Sequence, residues 1–235
     1  MNHYYLKARL FPTVLTAIPA IVFYNYFIAP LYNENLAGVF TTLPTITNTV
    51  FSAAVVFLLI QLNRFCAKEF FQKVYFNQDL KMPTTNHLLW KDLTFEESIK
   101  RKIRKKILEQ FNIDLLSEEE EKAEELQARK IITTAISQVR ICLQGNQMLF
   151  QHNIEYGFFR NLVGGSLLAV IFSSLILLLA FINSYSQLRV IAIVLIIIYL
   201  IPLALSKFFI KRYGEYYSKI LYEQFLSHTP QQKQI

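Results

Sequence analysis

Four runs of the chain carry no Asp, Glu, Lys or Arg, and this constrains the fold more than any motif does. Residues 10-33 form a run of 24, residues 35-63 a run of 29, residues 161-188 a run of 28, and residues 190-206 a run of 17. A helix needs about 20 predominantly apolar residues to cross a hydrocarbon core. Lipid offers no partner to a backbone N–H or C=O, so such runs cross as helices, which bond their own backbone. The runs predict transmembrane helices over about 10-30, 45-63, 162-182 and 190-206. About a hundred contiguous residues remain outside them, which excludes a large catalytic domain. Composition agrees, with 53% hydrophobic and 17% charged residues and a mean hydropathy of +0.30. The first run follows Lys7 and Arg9 as a signal peptide would, but it exceeds a signal-peptide core and reads as a retained helix.

Basic flanks stay cytoplasmic during insertion. Residues 1-9 hold two Lys or Arg, 64-160 hold sixteen and 207-235 hold five, whereas 31-44 hold none and 183-189 only Arg189. The expected fold is therefore an all-α integral membrane protein with both termini cytoplasmic. Transmembrane hairpins at 1-63 and 161-206 flank a cytosolic helical domain at 64-160, and a juxtamembrane helix and tail follow at 207-235. The formal net charge of +7 resides largely in topogenic flanks and tail, so bulk charge does not identify a partner.

Within 64-160, residues 64-92 read as a helix end and a loop. Thr94 and Glu97 have the spacing of a capping box, as do Ser117 and Glu120. They predict helices over about 94-111 and 118-143. In the first, Phe95, Ile99, Ile103, Ile107 and Phe111 form an apolar stripe opposite a basic cluster of Lys100, Arg101, Lys102, Arg104, Lys105 and Lys106. Such a cluster suits an anionic ligand, because phosphates neutralised by Lys and Arg release counterions. The alternatives are pairing with the acidic residues of 118-125 or resting on anionic lipid. In the second helix, Ala128, Ile132, Ala135, Val139 and Cys142 are spaced 4, 3, 4, 3, the seam of a short coiled coil through which chains could associate. In the tail, aromatic residues from Phe209 to Tyr217 alternate with Lys and Arg, as expected of a helix lying partly on an anionic leaflet.

No phosphate loop, nucleophile elbow or metalloprotease helix is present, and six glycines leave little scope for the first. His152, Glu155 and Arg160 come nearest to a catalytic cluster and are better explained by packing or interface anchoring. The four histidines are scattered, and Cys66 and Cys142 read as small buried apolar residues in a reducing compartment. Neither an enzyme, a metal nor a cofactor is expected. The third and fourth spans suit lipid contact. The second differs, because Thr45, Asn48, Thr49 and Ser52 share one side, followed by Val56, Leu59 and Asn63. Polar groups in hydrocarbon face other helices or water, so this side either packs against a helix or lines a pore constricted at Val56 and Leu59.

Tyr4-Tyr5-Leu6-Lys7-Ala8-Arg9-Leu10-Phe11-Pro12 enters the first span and Asn153-Ile154-Glu155-Tyr156-Gly157-Phe158-Phe159-Arg160-Asn161 enters the third. With the two-hairpin layout, these stretches resemble bacterial membrane proteins encoded in anti-phage defence loci. Among such systems the chain is similar to the Hailong-type effector. That family is an oligomeric membrane channel held in check by a single-stranded deoxyadenylate oligomer made by a partner nucleotidyltransferase. None of its binding motifs is matched residue by residue, so the resemblance implies the role alone, in the bacterial inner membrane. The expected function is thus an oligomeric channel or pore-forming effector gated by its cytosolic domain through an anionic nucleotide or oligonucleotide. The alternative is a non-conducting membrane scaffold that recruits a cytosolic partner through the 118-143 helix.

Overall fold

The computed structural model describes residues 3-30, 45-77 and 80-228, together with the backbone but not the side chains of 45-52. Among the described residues all regular structure is helical. In chain order the helices are α1 (His3–Tyr5), α2 (Phe11–Thr16), α3 (Ile18–Phe23), α4 (Thr45–Cys66), α5 (Lys73–Phe76), α6 (Pro83–Asn86), α7 (Glu97–Phe111), α8 (Glu118–Ala123), α9 (Glu125–Cys142), α10 (Gln147–Ile182), α11 (Ser186–Ala204) and α12 (Ser206–Ser227). Wider π-helical turns extend α1, α3 and α4. The chain divides into two compact units. One comprises Met1–Phe71 with Gly157–Phe209, the other Gln72–Tyr156 with Ile210–Ile235.

In the first unit, α10 and α11 are long and apolar enough to cross a membrane. His3–Thr16 and Ile18–Ile28 pass the same test together but are bent by 43° at Ala17, so the first run is a broken helix rather than one straight span. Two prolines shape it. Pro12 and Pro19 have no N–H to donate, which removes the helical partners of the Ala8 and Leu15 carbonyls four residues earlier. Both carbonyls are served from elsewhere in the unit. Asn161 Nδ2 donates to Ala8 O at 2.6 Å, and the Tyr199 hydroxyl donates to Leu15 O at 2.6 Å.

The third span packs one face and leaves the other open, with Ile171, Leu175, Leu178 and Phe181 exposed. Val163, Ser166, Ala169, Ser173, Ile176 and Ala180 are all buried, and small residues let neighbouring backbones approach closely. The approach is closest at Gly164, where a Cβ would lie 2.3 Å from the Asn63 carbonyl oxygen and 2.6 Å from the Ala67 nitrogen. On α11 only Leu188, Ala192, Leu195 and Tyr199 are buried, at spacings of 4, 3 and 4. The rest of that helix is exposed or half-buried.

The second unit closes around one apolar core. Ile103 and Ile107 of α7, Ile132, Ala135, Ile136 and Val139 of α9, and Leu221, Tyr222 and Phe225 of α12 meet in it. Two corrections follow. Ala128, Ile132, Ala135 and Val139 are buried inside the protomer, with Cys142 half-buried at the end of the row, so this stripe is not an open seam for self-association. Its apolar periodicity is answered by α7 and α12 instead. The tail helix, expected to lie partly on a leaflet, packs its later part into the same core, with Phe225 stacked on Phe111 at 6.0 Å and Tyr222 edge-on to Phe95 at 5.8 Å, while Lys211, Arg212 and Tyr216 nearer its start are exposed.

Helix boundaries show local competition. Ser117 and Glu120 form the expected reciprocal capping box. Thr94 and Glu97 do not, because the Thr94 amide takes the Asp92 Oδ1 carboxylate oxygen at 2.9 Å and α7 begins only after Glu96. Asx turns of this kind compete with helix starts. The expected 118-143 helix is broken at Glu124. The break separates two anchored side chains, Glu121 on the Trp90 amide and Arg104, and Arg129 on the Leu80 carbonyl.

Candidate functional site

The basic cluster of α7 does not present one charged face. Two of its six members point inward. Lys100 is 2% exposed and donates from Nζ to the carbonyls of Leu89 at 2.8 Å and Trp90 at 3.0 Å, and also to that of Asp92. Burial holds its pKa below the usual lysine value, against the opposing pull of Asp92 and Glu121. Arg104 lies over the Trp90 ring at 4.2 Å. It donates to the Leu116 carbonyl at 2.7 Å, the Leu88 carbonyl at 2.6 Å and Glu121 Oε2 at 3.1 Å. Its planar fork spreads donors over two nitrogens, so it joins two carbonyls and a carboxylate while lying over the indole ring.

A third member, Lys106, reaches the end of α12, where its Nζ donates to the carbonyls of Phe225 at 2.7 Å, Leu226 at 3.1 Å and His228. The last carbonyls of a helix lack amide partners and carry the negative end of its dipole, so a lysine is well suited there. Arg101 pairs with Glu97 and Lys105 with Glu109 along the helix. Lys102 is exposed with no ion pair among the described residues. The part of the cluster that faces solvent is therefore Arg101, Lys102 and Lys105.

A second concentration of charge lies elsewhere in this unit. A cavity of about 420 Å³ is bordered by Lys81, His87 and Asp92 on one side and by Lys211, Glu215 and Lys219 of α12 on the other. His87 is 4% exposed, with Nδ1 2.7 Å from the Ser218 hydroxyl oxygen and its ring edge-on to Phe95 at 5.7 Å. Burial lowers its pKa from the ordinary 6.5; Asp92 opposes this, while Lys219 and Lys100 add to it. A serine beside a histidine suggests nucleophilic chemistry. Ser218 is 0% exposed and does not line the cavity, whereas His87 does, so the serine hydroxyl is closed off from that space.

The first unit has its own polar cluster. Asn63 Nδ2 donates to Thr13 Oγ1 at 3.1 Å and to Thr16 Oγ1 at 3.0 Å, and those hydroxyls donate back to the carbonyls of Arg9 and Pro12 at 2.9 Å. A Cβ at Gly165 would lie 2.3 Å from Thr16 Oγ1. The polar side read on the second span thus ends in a helix contact at Asn63. Leu59 borders a small void beside this cluster, and Val56 is 39% exposed. The side chains of Thr45, Asn48, Thr49 and Ser52 lie outside the described ones.

The chain matches no family model, no curated protein and no solved structure.

His152 Nδ1 lies 3.5 Å from Glu155 Oε2. Among the described residues no group of three or more His, Cys, Asp or Glu side chains is placed to hold a metal ion. Sequence reasoning overlooked the lysine-bordered cavity, because Lys81 is about 130 residues from Lys211 and only the fold brings them together. A local signal was available in α12, where Lys211, Glu215 and Lys219 recur every four residues and so share one side.

Proposed function

We propose that the protein is an oligomeric membrane channel or pore-forming effector of bacterial anti-phage defence, gated by its cytosolic helical unit through an anionic nucleotide or oligonucleotide. The observation that carries this reading is the state of α4. Residues 53-58 are exposed on every side within the protomer, while Asn63 locks the far end of the helix to Thr13 and Thr16. Its sequence places Thr45, Asn48, Thr49 and Ser52 on one side, and polar groups in hydrocarbon are costly unless they meet protein or water. Copies of α4 gathered around an axis would supply both, with Val56 and Leu59 forming an apolar constriction that closes by dewetting.

Assembly on this reading runs through the membrane helices, since the 4-3 stripe of α9 is buried within each protomer. The solvent-facing Arg101, Lys102 and Lys105 supply one anionic-ligand surface. Four spans in the bacterial inner membrane with cytoplasmic termini are supported by the placement of 23 of the 24 Lys and Arg residues. The defence role and a partner nucleotidyltransferase are supported by the resemblance of the two boundary stretches.

Purified protein in planar bilayers tests the reading. Conductance is expected to depend on ligand state, and Val56→Ser should raise it by wetting the constriction. Silence in every ligand state overturns the channel and leaves the scaffold. A conducting Val56→Ser variant identical to the parent removes α4 from the pore.

A further inference from the structure

We propose that the cavity between the 81-94 segment and α12 is a preformed site for a phosphate-bearing ligand that also carries hydroxyl or amino donors. The volume of about 420 Å³ lies within the range of small-molecule sites. Lys81, Lys211 and Lys219 border it from two separate parts of the chain, and none forms an ion pair among the described residues. Three lysines against two carboxylates leave the opening net positive, which favours an anionic group there. Asp92 and Glu215 border the same space. A bare anion would meet them unfavourably, whereas the hydroxyl and amino groups of a nucleotide or a phosphoglycerol headgroup would donate to them.

The backbone on one wall of the cavity is tied down by hydrogen bonds. The Lys81 amide donates to the Phe76 carbonyl at 2.9 Å, and its own carbonyl accepts from Asn86 Nδ2 at 3.1 Å. Arg129 Nη1 holds the other end of this amide, donating to Asn86 Oδ1 at 2.7 Å and to the Leu80 carbonyl at 2.8 Å. On the opposite wall, Gly214 brings α12 close to α6, because a Cβ there would already meet Pro83 Cγ at 3.3 Å. Fixing the backbone that carries Lys81 in advance reduces the ordering cost of binding. The wall that carries two of them, α12, begins after a single residue beyond α11, so a ligand here acts on the element joined directly to the last membrane helix. The inference rests on the gating reading only in making the cavity regulatory.

The phosphate could belong to a soluble nucleotide or to a lipid headgroup, and two arms separate these sources. In the first, AMP is titrated calorimetrically into the full-length protein in a zwitterionic detergent. In the second, retention of phosphatidylglycerol over phosphatidylcholine is measured by native mass spectrometry. Binding is expected in one arm, strengthening as salt is lowered. Lys81→Ala and Lys219→Ala should each weaken it by roughly tenfold, the scale of one charge-assisted hydrogen bond, and Lys219→Arg should retain most of it. The variants are exposed substitutions, and their melting curves report whether the fold is kept. AMP binding assigns a soluble ligand and selective lipid retention assigns a headgroup. Absence of binding in both arms overturns the site, as does binding that neither alanine variant alters. Conductance is read separately: a protein that binds without conducting removes the channel and keeps the site, and one that conducts in every state without binding does the reverse.

Discussion

Lys100, Arg104 and Lys106 show how far a side chain's partners can depart from its type. Each is cationic, and each is held by backbone carbonyls of its own unit. Charge-assisted bonds to carbonyls are about twice as strong as neutral ones, and they leave no exposed donor for phosphate. His87 is the reverse case, a titratable group kept neutral by its surroundings. The unfolded chain takes up a proton on His87 near the ordinary 6.5, while the folded unit resists it until lower pH. Stability is therefore full above about pH 6.5 and falls as the pH drops from there towards the folded pKa. Urea midpoints at about pH 7.5 and about pH 5.5 should differ more for the parent than for His87→Gln. Equal slopes for the two proteins would exclude His87 as the source.

At the scale of elements, the broken first helix is held by its neighbours. Pro12 and Pro19 open two carbonyls, and Asn161 and Tyr199 close them. Hydrogen bonds between membrane helices contribute about 0.6 kcal/mol on average and up to about 1.7, so Tyr199→Phe should lower stability in detergent by about 1 kcal/mol. Pro19→Ala restores an amide that can serve the Leu15 carbonyl. In that background Tyr199→Phe should lose most of its effect. Purely additive losses in the double-mutant cycle would show that Tyr199 acts on something else. The two stretches that carry the resemblance belong to the same contact, since a Cβ at Gly157 would lie 3.0 Å from both Ala8 Cβ and the Tyr4 hydroxyl.

For the whole molecule, the decisive measurement is topology. Reporters fused after Lys91 and at the C-terminus should both read cytoplasmic, and one inserted near Asn35 should read outside, because nearly all Lys and Arg lie on the proposed inner side. A cytoplasmic signal at Asn35 would remove the first hairpin and the conduit assigned to α4 with it. The apolar α10 and α11 contribute most of their length to one unit, while α7, α9 and the later part of α12 build the other.

The helical class, the apolar character of α10 and α11 and the Ser117 capping box were legible in the sequence. Each depends on residues within a few turns of one another, where hydropathy, charge and cap chemistry act locally. The bend at Ala17 sits beside Pro19, so its cause was also local, although its stabilisation by Tyr199 was not. Tertiary structure alone decided which apolar stripes meet. Ile132 and Val139 have the same spacing whether they face a second chain or α7 and α12, since periodicity marks a buried face without naming what buries it. It also decided which lysines bind carbonyls and which gather at a cavity. Lys100 and Lys102 are two residues apart on one helix, yet one is buried and the other exposed. Charge in a sequence has a position, but its partners are set by residues that fold next to it from far along the chain.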